Sequence, residues 1–140
     1  MEFLEKAVKV SKKGREKAVA LNNLGLALSD WAELIEGKEP EEARKKYEKA
    51  IGCYDKALEI NPNYAIAWYN KGNALDELER YKEAIECYDR ALEINSNFAE
   101  AWYNKGYVLG KLGRHEEEIE CYDKALKINP NDADAWYNKG

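Results

Sequence analysis

The chain has 140 residues, 35% of them charged, with a formal net charge of −5, ten Tyr and four Trp. So many aromatic anchors argue against a disordered polyelectrolyte, the absence of Thr and the few β-branched residues argue against a sheet protein, and the acidic balance argues against a nucleic-acid partner. No run approaches the length of an apolar membrane span, and no apolar signal core opens the chain, so a soluble, cytoplasmic protein with no membrane partner is expected.

Residues 1–14 read as an N-terminal helix or cap, through Phe3, Leu4, Ala7 and Val8, ending near Gly14. Residues 1–17 hold six Lys/Arg against three Glu, and Lys9, Lys12, Lys13, Arg15 and Lys17 read as a solvated helix face. Residues 15–64 read as an elongated helical hairpin. Leu21, Leu24, Gly25 and Leu28 mark its first helix and Ala50, Tyr54, Ala57 and Pro62 its second, with thirteen more residues between these halves than in the units that follow. Shared between helices over 15–36 and 40–60, the extra residues lengthen each by about 10 Å. In that arrangement Trp31, Leu34 and Ile35 meet Ala43 and Tyr47, Gly37 supplies the turn and Pro40 takes a first helical position.

Residues 65–98 and 99–132 are two copies of one unit, identical at 21 of 34 positions without a gap. Trp68, Trp102 and Trp136 recur at this spacing, as do Gly72, Gly106 and Gly140, and Cys53, Cys87 and Cys121. Within a unit, Trp68, Gly72 and Leu75 form one stripe at helical spacing, and Ala84, Ile85, Tyr88, Ala91 and Leu92 form another. Glu79-Arg80 and Gly113-Arg114 mark the turns inside the units; Asn61-Pro62-Asn63, Asn95-Ser96-Asn97 and Asn129-Pro130-Asn131 end them. A glycine in mid-helix is unfavourable by about 1 kcal/mol relative to Ala. Gly72, opposite Ala84 and Ala91, is expected to let two helix backbones approach. A single hairpin cannot bury both stripes, whereas stacked hairpins can, so the fold class is an all-α helical-hairpin solenoid. Residues 133–140 read as the truncated first helix of a further repeat, which suggests a fragment of a longer array with a fraying end.

No catalytic constellation emerges. His115 is the single histidine and stands where the previous unit has Tyr81; none of Ser11, Ser29 and Ser96 has a neighbouring His to act as base. The cysteine series is expected to pack, because equivalent positions of adjacent hairpins lie about 10 Å apart while zinc–thiolate bonds are about 2.3 Å. Neither a cofactor nor a metal is expected, nor an enzyme activity.

Trp68, Gly72, Leu75, Ala84, Tyr88 and Ala91, with Trp102, Gly106, Leu109, Tyr122, Ala125 and Pro130 one period later, resemble the tetratricopeptide repeat over roughly residues 18–140. Three departures stand out: Lys71, Lys105 and Lys139 replace a usual Leu, Ser96 replaces a Pro, and Glu118 replaces a small residue. Glu118 is expected to tilt out to solvent or to open its hairpin. The resemblance implies a right-handed superhelix whose first helices line a concave surface for a protein or peptide. It carries Asn22, Asn23, Leu26 and Asp30 to that surface from the first unit. Ile66, Tyr69, Asn70, Asn73 and Asp76 follow from the second, Glu100, Tyr103, Asn104, Tyr107 and Lys111 from the third, and Asp134, Tyr137 and Asn138 from the last. Tyr69, Tyr103 and Tyr137 lie off the Trp/Gly stripe, so they either meet a ligand or fill grooves between helices. Part of the family grips C-terminal carboxylates with basic side chains, but those positions are Asn22, Ile66, Tyr69 and Glu100 in this chain. Three functions fit these features: a binding scaffold, the substrate-docking region of a larger enzyme, and a module that self-associates through its terminal faces.

Overall fold

The computed structural model describes residues 10–131, in which six helices make three antiparallel hairpins. Helices α1 (Lys12–Ile35) and α2 (Pro40–Ile60) form the first, α3 (Ala65–Glu77) and α4 (Tyr81–Ile94) the second, α5 (Ala99–Lys111) and α6 (His115–Ile128) the third. Among the described residues there is no strand. Most of the cap expected over 1–14, and the whole of the unit expected over 133–140, lie outside the described residues.

Ser11 starts α1 by accepting a hydrogen bond from the Gly14 amide at 2.9 Å, a side-chain N-cap. Gly14 therefore sits in the first turn of α1 and does not end a preceding helix. Pro40 opens α2, where its missing N–H is no loss. The later hairpins turn on a residue of positive φ, Glu79 at 61° and Gly113 at 76°. Glycine takes this conformation without strain and glutamate does not.

One contact repeats through all three hairpins. Tyr54, Tyr88 and Tyr122, each at most 1% exposed, lie with their rings directly on Gly25, Gly72 and Gly106. A Cβ on these glycines would come within 2.5, 2.7 and 2.9 Å of the respective ring. The glycine thus makes room for an aromatic ring and not, as its spacing suggested, for a second backbone. A buried tyrosine also needs a partner for its hydroxyl, and each hairpin meets that need differently. Tyr54 shares a 3.3 Å hydrogen bond with Ser29, Tyr88 donates to Asn73 Oδ1 at 2.6 Å, and Tyr122 donates to Glu118 Oε2 at 3.2 Å.

This explains Glu118. It neither tilts out to solvent nor opens its hairpin, since Gly106 still touches Tyr122. Its head lies over Gly110, where the preceding unit has Asp76, and its Oε1 also lies 2.9 Å from His115 Nδ1. The large acid in α6 and the small residue in α5 are one compensated exchange.

Lys71 and Lys105 tie each hairpin to its predecessor through Asp55 at 2.7 Å and Asp89 at 2.6 Å. Half-buried Trp68 and Trp102 donate from Nε1 to the carbonyls of Pro62 and Ser96, at 2.9 and 3.0 Å. The backbone carbonyl serves in both, so the exchange of Pro for Ser leaves this tie intact. Burial raises the thiols of Cys87 and Cys121 to about 11, as suits packing residues.

In the long hairpin, Ala32, Ala43, Tyr47, Ala50 and Tyr54 form a core that Ile35 and Leu28 flank and that Ala74 of α3 joins. Leu34, expected to face α2, is instead 84% exposed, whereas Trp31, 52% exposed, does meet α2, with Lys46 Nζ 3.4 Å from its ring centre.

Two pairs of substitutions test this packing by chemical unfolding. Gly72→Ala should destabilise by about 1–3 kcal/mol, the overpacking against Tyr88 outweighing better helix propensity. Gly52→Ala in α2, whose Cβ would meet nothing within 4 Å, should stabilise by about 0.5–1 kcal/mol. Gly110→Ala should destabilise the natural chain by about 1 kcal/mol yet stabilise a Glu118→Ala background, because the clash disappears with the carboxylate. Equal effects in both backgrounds would refute the exchange.

Candidate peptide-binding cleft

The first helices of successive hairpins, α1 with α3 and α3 with α5, touch one another, and no comparable contact joins the second helices among the described residues. The stack is therefore closed on the α1–α3–α5 side and spread on the other. On the closed side lies a cleft of about 410 Å³. α1 and α2 contribute Leu26, Ser29, Asp30, Glu33, Tyr47 and Tyr54; α3 contributes Asn70, Asn73, Ala74, Asp76 and Glu77; α5 contributes Tyr103, Asn104 and Tyr107.

Of the residues that the sequence places on this surface, Leu26, Asp30, Asn70, Asn73, Asp76, Tyr103, Asn104 and Tyr107 line the cleft. Asn22 does not: it is 3% exposed and accepts a 3.0 Å hydrogen bond from Asn70 Nδ2. One repeat on, Asn104 Nδ2 donates to Asn73 Oδ1 at 2.9 Å and to the Tyr69 hydroxyl at 3.0 Å. These amides form a ladder joining α1 to α3 and α3 to α5, as buried polar groups require. Tyr69 fills an inter-helix groove, its ring 4.7 Å from Phe98 and 6.0 Å from Tyr88. Tyr103 and Tyr107 do face the cleft, and Tyr107 is 47% exposed. Ile66 and Glu100 are exposed outside the cleft lining. Lys111 stands at its edge, 2.8 Å from Asp76 and 4.5 Å from the Tyr107 ring centre. Asp134 and Tyr137 lie outside the described residues.

Sequence reasoning missed Ser29, Glu33, Tyr47, Tyr54, Ala74 and Glu77 as cleft residues. Those of α1 and α2 enter because the first hairpin forms one wall of the cleft, and the acidic spacing along α1 was the available signal. Asp30 and Glu33 of α1 face Asp76 and Glu77 of α3 across this space, with Glu36 close by. The Glu77 carboxyl is held above its ordinary value of 4.5, first by desolvation, then by the negative charges of Glu36 and Asp76, with Lys111 opposing. The Tyr47 hydroxyl is pushed well above its ordinary value by burial and by Glu77, Glu36, Glu33 and Asp30.

A second groove, of about 500 Å³, runs past Trp68, Lys71, Leu75, Glu83, Glu86 and Cys87. Its counterpart one period later, past Trp102, Lys105, Leu109, Glu117, Glu120 and Cys121, measures about 110 Å³. A feature that returns with each hairpin is a product of repeat stacking. The acidic cleft has no such copy among the described residues. No helix there is long and apolar enough to cross a membrane.

No curated protein matches the chain. Solved structures share its fold. The first TPR of Spaghetti (RPAP3) bound to the HSP90 peptide SRMEEVD is 22% identical, covering 84% of this chain and 89% of that one, with a TM-score of 0.66. The Arabidopsis OM64 TPR domain is 22% identical over 89% and 92%, with a TM-score of 0.74. The N-terminal domain of stress-induced protein-1 from C. elegans is 21% identical over 92% and 96%, with a TM-score of 0.73. A tetratricopeptide repeat model matches residues 65–98 and 99–132 and a TPR repeat model residues 43–78, so well over half of the chain is accounted for and the protein belongs to the tetratricopeptide repeat family.

Proposed function

We propose that the chain is a protein- or peptide-binding scaffold without catalytic chemistry of its own, and that the cleft takes a segment bearing apolar and basic side chains. The observation that carries this reading is the lining: Leu26, Tyr103 and Tyr107 offer apolar contact, and Asp30, Glu33, Asp76 and Glu77 surround it with carboxylates. Aromatic rings of this kind give large contact area at modest ordering cost. The carboxylates stand where local electrostatics disfavour them. Glu33 is in the last turn of α1, Asp76 and Glu77 in that of α3, and neither helix has a basic residue in its last turn. Negative charge near a helix C-terminus is unfavourable, and such local conflicts concentrate at functional sites. A cationic partner relieves them. The related Spaghetti domain is bound to the acid-ended peptide SRMEEVD; the cleft of this chain would repel such a tail.

Selection from a peptide library against the whole chain tests the reading. Selected peptides should be enriched in Lys or Arg beside apolar residues. Tyr103→Ala should raise the dissociation rate by about tenfold or more, since central aromatic anchors carry most of an interface's energy. Glu86→Ala, outside the cleft, should have no effect. Loss of binding in the Glu86 variant alone would place the site elsewhere.

Proton linkage gives an independent test. Because the folded-state value of Glu77 is raised, its ionisation above 4.5 lowers stability, and the penalty is complete once the pH exceeds the folded value. A bound cation pulls the value back down. Affinity for a basic peptide should therefore rise as pH climbs from 4.5 towards 7, and Glu77→Gln should flatten that rise while increasing the thermal midpoint at pH 7. Titration calorimetry across this range, with and without the substitution, measures both.

A further inference from the structure

Four tyrosines of the described residues are at most 3% exposed: Tyr47, Tyr54, Tyr88 and Tyr122. Three of them bond through their hydroxyls to Ser29, Asn73 and Glu118. Tyr47 is the exception, with no hydrogen bond to any described residue. Its ring is locked into the core of the first hairpin beside Ala32, Ala43 and Ala74, while its hydroxyl lies among carboxylates of the cleft that the side chain lines. A buried hydroxyl ordinarily has a partner. This one cannot turn away to find one within the chain.

Given that the cleft takes a basic segment, as proposed above, we infer that its Tyr47 wall is an arginine subsite, in which a guanidinium of the bound segment donates to the Tyr47 oxygen and to the carboxylates of Glu33 and Glu77. The acids alone would not single out a ligand; the unpartnered Tyr47 oxygen does. Charge around it is unbalanced. Glu77, Glu36, Glu33 and Asp30 all act on the hydroxyl, Glu77 most strongly. Neither Glu33 nor Glu77 has an ion pair among the described residues. Two cations of the chain stand near. Lys111 is committed to Asp76 at 2.8 Å. Arg44 is exposed and lines an adjoining pocket of about 200 Å³ that shares Tyr47 and Glu77 as walls, but it pairs with none of the glutamates there.

The three acceptors come from three helices, Glu33 from α1, Tyr47 from α2 and Glu77 from α3, and the Tyr47 hydroxyl is beyond hydrogen-bond reach of both carboxylates. A ligand that serves them together must spread its donors. Guanidinium carries five N–H groups on three nitrogens in one plane, whereas an ammonium concentrates its donors on a single atom. Guanidinium is also the more weakly hydrated cation, so it enters the partly desolvated surroundings of Glu77 at lower cost. Lys111, whose ammonium meets one carboxylate and the face of the Tyr107 ring, shows the simpler environment that suffices for a lysine.

Three blocked peptides, acetyl-Ser-Leu-Ala-X-Ala-Leu-Ser-amide with X as Arg, Lys or citrulline, test the subsite by NMR titration of the full chain up to about 10 mM. The Arg peptide should bind about tenfold more tightly than the Lys peptide. The citrulline peptide, which keeps the shape without the charge, should bind more weakly than either. Tyr47→Phe removes only the hydroxyl. It should erase the preference for Arg over Lys without lowering the thermal midpoint, since no internal bond is lost. Independently of any variant, the carbon-13 resonance of Tyr47 Cζ should move as the Arg peptide is added, and an unmoved resonance overturns the placement even if the Tyr47→Phe chain misfolds. Equal binding of the Arg and Lys peptides, with a loss for citrulline, overturns the arginine subsite and leaves the cleft a site for basic segments. A preference that survives Tyr47→Phe overturns it too, as does a citrulline peptide that binds as tightly as the Arg peptide. Absence of binding by all three overturns the subsite together with the reading of the cleft.

Discussion

The tyrosine ring seated on a glycine is the contact on which the hairpins depend. Its geometry leaves little freedom: a methyl group on Gly25, Gly72 or Gly106 would enter the ring. The glycine weakens its own helix by about 1 kcal/mol of propensity, and burial of a full aromatic side chain offsets that loss severalfold. Everything else in a unit is arranged around this pair. Small Ala84 and Ala91 let α4 bring Tyr88 to the ring position, and Ala50 and Ala57 do the same for Tyr54. Because the hydroxyl at the far end of each ring still needs a partner, the contact also dictates polar residues beyond it: Ser29, Asn73 and Glu118 in turn. A family signature of six or seven positions thus hides a further requirement that different residues satisfy.

That hidden requirement marks the boundary of what the sequence discloses. Period, hairpin boundaries and turns follow from recurring Trp, Gly, Tyr and Asn, because each has a local stereochemical reason that needs no knowledge of neighbours. The exchange between Gly110 and Glu118 does not, since it couples two helices through a side-chain contact that spacing alone does not report. The same holds for Leu34, which the rotation of α1, set by Gly25 against Tyr54 and Ala32 against Ala43, turns outward while Trp31 still meets Lys46 of α2. The inner surface was legible as a set of positions, but the division of labour within it was not. Asn22 and Asn70 spend their amides on one another, and Tyr69 is groove filling, while Tyr103 and Tyr107 are left facing the cleft.

The lengthened first hairpin gives this array its individual character. In a solenoid each hairpin meets only its neighbours, so identical units produce a featureless, periodic surface. The grooves past Trp68 and Trp102 recur in this way, lined by equivalent residues although they differ in size. By running beyond α3, helix α1 sets Asp30 and Glu33 opposite Asp76 and Glu77 and thereby creates a charged cleft where a uniform array would have none. The third unit has Gly110 and Lys111 where the second has Asp76 and Glu77, and Lys111 pairs with Asp76. Negative charge is consequently concentrated between the first two hairpins and capped on the third.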